Sequence, residues 1–300
     1  MGVIAGFLDQ LARGPVLFDG AMGSLLIAAG LEPGSAPEAW NVERPEVIGK
    51  IHREYLDAGA EVITTNTFGG SPLRLSAHKL DSRCVELNFA AVGLAMAARL
   101  KSRDRRIFIA GGMGPCGKFF PPVGGLTESA LADSAKTQVE VLAAAAVDLI
   151  LIETMVDVHE AEIAVRTARQ LTDVPVIVTM TFDKKPRGYF TIMGNTPSDA
   201  VRRLADAGAD VVGANCTLAA DQMVELTEML ASASPVPILI QPNAGQPEMI
   251  DGRAIYRVDP GQFASAIQRI IGAGAAAVGG CCGTTPEHIR AVATLIGPVR

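Results

Sequence analysis

Short unbroken apolar runs alternate along the chain with longer stretches in which apolar residues recur at helical spacing. The runs fall at residues 16–19, 61–66, 107–112, 148–154, 176–182, 210–216, 238–243 and 276–282. Most are rich in Val and Ile and lack the alternation of a half-exposed strand, so they read as strands buried on both faces. The stretches between them predict helices over 45–58, 82–100, 127–147, 157–171, 197–207, 221–232 and 260–273, with a last one from Pro286 towards Leu295. Gly is the usual residue just past a helix end. Asp57-Ala-Gly-Ala-Glu61 and Asp206-Ala-Gly-Ala-Asp210 both close a helix and open a strand in this way, and Gly272-Ala-Gly-Ala-Ala276 is a looser copy.

Strand and helix in eight-fold alternation, at about 37 residues per unit, predict a (β/α)8 TIM barrel of the α/β class. The competing fold is an open doubly wound sheet. That fold needs a phosphate-binding turn after its first strand, and Asp19-Gly-Ala-Met-Gly-Ser24 is not G-x-G-x-x-G. No linker or low-complexity segment divides the chain, so residues 1–300 read as one domain.

Composition narrows the function. Lys and Arg number 26 against 32 Asp and Glu, a net charge of −6, which argues against a nucleic-acid surface. No uncharged apolar run reaches the length of a membrane span, and the first residues lack a basic-then-apolar leader pattern. The five cysteines make a poor disulfide framework, because the number is odd and two are adjacent. A cytoplasmic protein without membrane or nucleic-acid partners is expected.

In such a barrel the chemistry sits at the C-terminal ends of the strands. Those ends carry Asp19-Gly20, Thr64-Thr65-Asn66-Thr67, Glu153-Thr154, Asn215-Cys216, Gln241-Pro242-Asn243 and Gly279-Gly280-Cys281-Cys282-Gly283. Three cysteines therefore share one rim with two carboxylates, provided that the barrel closes. Three thiolates suggest a catalytic zinc site with an open fourth position. Successive strand residues point to opposite faces, so Cys281 and Cys282 reach one ion only if the backbone bends, and the flanking glycines allow that. Two readings compete: cysteine as a small core hydrophobe, and a redox bridge from Cys216 to one of the pair. Zinc with three thiolates is a weak source of hydroxide but suits a fourth, thiol ligand, whose proton it displaces while the sulfur stays nucleophilic. The implied chemistry is alkyl transfer to a thiol.

The motifs Asp19-Gly-Ala-Met-Gly, Arg44-Pro-Glu-Val-Ile48, Gly59-Ala-Glu-Val-Ile-Thr-Thr-Asn-Thr-Phe68, Ile152-Glu-Thr154, Gly213-Ala-Asn-Cys216, Pro242-Asn-Ala-Gly245 and Gly279-Gly-Cys-Cys-Gly-Thr-Thr-Pro-Glu-His-Ile289 resemble the homocysteine S-methyltransferase family. The likeness is greatest to the homocysteine-binding module of cobalamin-dependent methionine synthases and runs from about Pro15 to Gly297. It implies a zinc-dependent barrel that methylates homocysteine to methionine. Carried over motif by motif, Cys216, Cys281 and Cys282 would be the zinc ligands. Asp19 and Glu153 would hold the substrate ammonium, and the backbone at Gly20 and Ala21 its carboxylate. Asn243, Thr65 and Asn66 are further candidate substrate contacts. Ser24 stands where many members have Thr. The resemblance also implies a methylcobalamin donor on a separate corrinoid protein, with a methyltetrahydrofolate methyltransferase as a further partner. The alternatives are S-methylmethionine, S-adenosylmethionine or betaine as donor, or a non-catalytic thiol- and zinc-binding module of a larger complex.

Other reactive residues read as structural. His52 and His78 fall on expected exposed helix faces, His159 and His288 at helix starts, Cys84 in helix core and Cys116 in a loop. Phe119 and Phe120 lie in a loop that is either packed or a lid, and 183–188 reads as a solvated charged loop.

Overall fold

A computed structural model describes residues 6–102, 105–250 and 253–297. The Val/Ile runs form eight parallel strands: β1 (Val16–Leu17), β2 (Val62–Thr64), β3 (Phe108–Met113), β4 (Leu149–Met155), β5 (Val176–Met180), β6 (Val211–Ala219), β7 (Ile238–Asn243) and β8 (Ala277–Val278). They follow one another round the sheet, and β8 pairs with β1 in parallel. A parallel bridge between Phe18 and Val62 joins β1 to β2 and closes the barrel. The expected TIM barrel is the observed fold.

A helix returns the chain after each strand: α1 (Pro45–Ala58), α2 (Cys84–Lys101), α3 (Glu128–Ala144), α4 (Val158–Leu171), α5 (Pro197–Asp206), α6 (Met223–Ala233), α7 (Pro260–Gly272) and α8 (Pro286–Ile296). Their starts are chemically marked. Thr127, Asp157, Thr196 and Asp259 each accept a backbone N–H of the first turn, and Pro45, Pro197, Pro260 and Pro286 sit where no N–H is needed.

Alternation along each strand sorts the core into two layers. Leu149 and Leu151 of β4 point into the barrel with Val16, Val62, Ile177, Val211 and Leu239, while Ile150 and Ile152 face the helices. A short helix, Phe7–Leu11, plugs the N-terminal end, where the Phe7 ring meets Phe18 and Phe108 edge-on at 6.0 and 5.6 Å. With that end filled, the opposite rim is left to carry chemistry.

Two expectations are revised. Residues 183–188 are not simply a solvated loop, because Asp183–Lys185 and Gly188–Phe190 pair as an antiparallel hairpin that seats Tyr189 in the core. His52 is wholly buried rather than exposed, with neither ring nitrogen partnered. Cys116 lies in a loop as expected, where it is buried with its N–H donating to Glu160 at 2.7 Å. Among the described residues, no helix is long and apolar enough to cross a membrane.

Candidate metal and substrate site

Cys216 ends the regular part of β6. The β6–β7 register shifts between Asn215 and Ala219, and both Cys216 (φ 61°) and Thr217 (φ 51°) adopt the left-handed backbone that side chains disfavour. This strained bulge turns a side chain that regular alternation would misdirect. Cys281 and Cys282 lie just past β8, gripped from β7: the Cys281 N–H donates to Pro242 O at 2.8 Å, and the Ala244 N–H to Cys282 O at 3.0 Å. The chain then turns at Gly283 (φ 79°), where an added Cβ would collide with the Tyr256 ring.

The result is convergence. Cys216 Sγ lies 3.8 Å from Cys282 Sγ, which lies 4.0 Å from Cys281 Sγ, and all three fall within 4.8 Å of one another. A tetrahedral ion with metal–sulfur bonds of about 2.3 Å spaces its sulfurs about 3.8 Å apart. The trio thus fits one metal ion with little movement. No disulfide joins these sulfurs. Hydrogen bonds from Cys281 and Cys282 hold the Cys216 thiol far below its ordinary range, down to about 3. The same bonds push Cys281 well up and Cys282 up to about 11. The three thiols are thus coupled through hydrogen bonds centred on Cys216.

The sulfurs face a cavity of about 270 Å³, also lined by Asp19, Met22, Phe68 and Glu153. No Lys or Arg is among the residues lining it. Asp19 is fixed from β2, accepting the Thr64 N–H at 2.8 Å and the Thr64 hydroxyl at 3.0 Å. Burial raises its carboxyl to about 7 despite those bonds. Glu153 is half-buried and faces the cavity, and burial, aided by the Asp19 charge, raises it to about 8. Asp19, Glu38 and Glu153 beside three sulfurs, with no Lys or Arg lining the cavity, form a site suited to a ligand that brings its own positive charge.

The other expected site residues divide. Gly20 and Ala21 line the cavity, but the Ala21 N–H already donates to Thr284 Oγ1 at 3.0 Å. A Cβ on Gly20 would sit 2.6 Å from that hydroxyl and 2.8 Å from Tyr55 Oη, so only glycine fits there. Thr65 and Asn66 line the cavity too, yet both side chains are engaged elsewhere. Thr65 Oγ1 accepts the Gly112 N–H, and Asn66 donates to Pro37 O and Asn41 Oδ1, both at 2.9 Å. Asn243 is buried beside Cys216, with its Oδ1 unpartnered. His288, at a helix start as expected, is spent on Thr285 and Val258 O, and His159 on Glu128.

Several residues escaped sequence reasoning. Tyr55 Oη donates to Ala21 O at 2.8 Å and Thr284 O at 3.2 Å, stapling the β1 rim to the β8 rim. Ser24 Oγ accepts the Gly283 N–H at 3.1 Å. Asn215 bonds Thr154 on β4 and Thr179 on β5 and lies 3.9 Å from Cys281 Sγ. Gln241 lines the cavity with Oε1 unpartnered, and the buried Glu38 carboxylate accepts the Gly69 N–H at 2.6 Å. Asn215 and Gln241 had a signal in the sequence, each at the end of an apolar run, and Ser24 stood in a rim motif; Tyr55 and Glu38 had none.

The rim motifs extend into whole-chain similarity. The model of the family described as homocysteine S-methyltransferase matches residues 16–296. The chain belongs to the homocysteine S-methyltransferase family. Within that family it is 33% identical, over 98% of its length, to methionine synthase of Mycobacterium tuberculosis. It is 31% identical, over 96%, to methionine synthase of Mycobacterium leprae. The chain spans about a quarter of the length of these two relatives. Among solved structures, it resembles the metallated form of the homocysteine methyltransferase MmuM from Escherichia coli. The TM-score is 0.77 at 25% identity, covering 94% of this chain and 96% of that one.

Proposed function

We propose that this chain, residues 1–300, is a methyltransferase barrel that activates the thiol of homocysteine on a zinc ion and accepts a methyl group on that sulfur to give methionine. The observation that carries this reading is the placement of three mutually close sulfurs and the carboxylates of Asp19 and Glu153 around one cavity. Cys216, Cys281 and Cys282 would hold the ion, leaving one position towards the cavity. Bound there, zinc supplies deprotonation of a thiol without quenching its nucleophilicity. Asp19 and Glu153 receive the substrate ammonium, which fixes the amino-acid end and directs the thiol towards the cysteines. The Gly20–Ala21 turn takes the carboxylate through the Gly20 N–H, since Thr284 occupies that of Ala21. Asn243 and Gln241 supply amides beside the reacting sulfur, and Thr65 and Asn66 shape the opposite wall. The methyl donor is a methylcorrinoid carried by a separate protein, itself charged by a methyltetrahydrofolate methyltransferase. The similarity to methionine synthases favours this donor over S-methylmethionine, S-adenosylmethionine or betaine. The site sulfurs must stay reduced, which suits the cytoplasm.

The test begins with metal analysis of reduced protein, where about one zinc per chain is expected. Cys216→Ala should lose it, because removing even an outer partner of a ligand weakens a metal site by about 10–100-fold. Zinc-loaded protein is then given homocysteine with methylcobalamin or with S-methylmethionine, and methionine is measured. Methionine from methylcobalamin supports the reading. Methionine from S-methylmethionine alone overturns the donor, and zinc without methionine from any donor leaves a binding module.

A further inference from the structure

Two strained pieces of backbone aim the site. On β4, Glu153 and Thr154 stand opposite a single residue of β5, because the register shifts between Ile152 and Met155. A bulge of this kind re-aims side chains beside a site. Thr154 takes φ 60°, a left-handed conformation that a β-branched residue holds only when its surroundings impose it. Cys216, on β6, is in the same state at φ 61°. Asn215, the residue before Cys216, reaches from one bulge to the other.

Asn215 is buried. Its Oδ1 accepts the Thr154 N–H and the Thr179 hydroxyl, both at 2.8 Å. A backbone N–H can only donate, so it is the amide oxygen that faces it. The Asn215 Nδ2 donates to Thr154 Oγ1 at 2.7 Å and lies 3.9 Å from Cys281 Sγ. The amide therefore holds Thr154 by backbone and side chain together, reaching across β5 from β6 to β4. Its nitrogen is left facing a sulfur of the trio.

Glu153, next to Thr154, and the cysteine sulfurs are the two ends between which an amino-acid thiol would be stretched. One methylene changes the length of such a molecule by about 1.5 Å, one carbon–carbon bond. A displacement of about 1 Å in a fitted site costs about 100-fold in rate. We propose that Asn215 is a positioning residue that fixes the span from Glu153 to the cysteine trio, and by that span selects homocysteine over the shorter cysteine. This role presupposes the function proposed above, within which it supplies the discrimination by chain length.

Calorimetric titration of zinc-loaded protein with homocysteine and with cysteine, in the absence of a methyl donor, gives the ratio of the two affinities. Wild type should favour homocysteine by about 10–200-fold, the worth of one methylene in a fitted site. Asn215→Ala frees Thr154 to relax, and the ratio should fall roughly tenfold. Asn215→Ser keeps a polar group in the buried place but is too short to reach Thr154, and should behave alike. Thr179→Val removes one bond to the same amide and leaves Thr154 held, so it reports plain structural loss and should keep the wild-type ratio. Adding Thr154→Gly to Asn215→Ala should restore much of the ratio, because glycine takes a positive φ unaided. An Asn215→Ala or Asn215→Ser ratio equal to that of wild type overturns the proposal. So does a fall that Thr179→Val reproduces or that Thr154→Gly leaves uncorrected. A wild type that binds both thiols equally overturns it while leaving the proposed function standing. A wild type that binds neither overturns the proposed function, and this role with it.

Discussion

At the scale of single residues, the carboxylates make the clearest statement. Asp19 and Glu153 are raised to about 7 and 8, chiefly by burial, so near neutrality the empty cavity retains protons. An incoming ammonium favours the charged carboxylates and releases those protons. Affinity for an amino-acid ligand should therefore rise with pH from about 6 to about 8 and flatten once both groups ionise. Methionine is the ligand to use, because it has no thiol to add a proton of its own. Calorimetric titration in two buffers of different ionisation enthalpy measures the release directly. Glu153→Gln should weaken methionine binding roughly 30-fold or more, as expected when a buried charge pair loses one partner, and should reduce the proton release. Affinity independent of pH would remove these carboxylates from ammonium recognition. Asp19, Glu153 and the three cysteines were legible in the sequence because each stands at the end of an apolar run. Glu38 was not, because its side chain matters through a contact with a distant segment, the Gly69 N–H, that no local pattern records.

At the scale of elements, strand and helix order was readable throughout. Buried parallel strands leave Val/Ile runs, and the Pro and capping residues at helix starts leave local marks. The Asp183–Lys185 and Gly188–Phe190 hairpin was less readable, because its charged first strand has no apolar face. Least readable was the joint between the first and last units. Tyr55, in the last turn of α1, reads only as a core aromatic, yet its hydroxyl ties the loop after β1 to the loop after β8. Both accepting carbonyls belong to loops that line or support the cavity. Tyr55→Phe keeps the ring in its buried place and strands those acceptors, at a cost of about 1–3 kcal/mol. For a chain of this size that lowers the melting temperature by roughly 2–8 °C. Because the loosened loops carry Gly20, Ala21, Cys281 and Cys282, the proposed function predicts that the KM for homocysteine rises more than kcat falls. An unchanged melting temperature and unchanged kinetics would show that the staple contributes nothing.

At the scale of the whole molecule, closing the barrel buries titratable groups whose effects on stability oppose one another. Asp19 and Glu153 have folded pKa values raised above those of the unfolded chain. Their contribution is fully present below about pH 4 and is lost as pH rises through about 7 to 8. His52 runs the other way. Burial, with a smaller push from the Arg53 charge, lowers it from 6.5 to about 4. Its contribution is present above about pH 6.5 and is lost as pH falls towards 4, because the unfolded chain then binds a proton that the folded chain refuses. Between about pH 7 and pH 5 this one residue should cost the fold roughly 2 kcal/mol, a loss that proton uptake by the two carboxylates over the same range more than offsets. Comparing wild type with a variant isolates the histidine, since the carboxylates are common to both. His52→Met fills the space without polar atoms and should unfold later in urea at pH 7, because neither ring nitrogen has a partner to lose. The gap should widen as the solution is acidified. If the two unfolding curves stay the same distance apart from pH 7 to pH 5, His52 takes up its proton in the folded barrel as readily as in the unfolded chain, and the dry environment assigned to it is wrong.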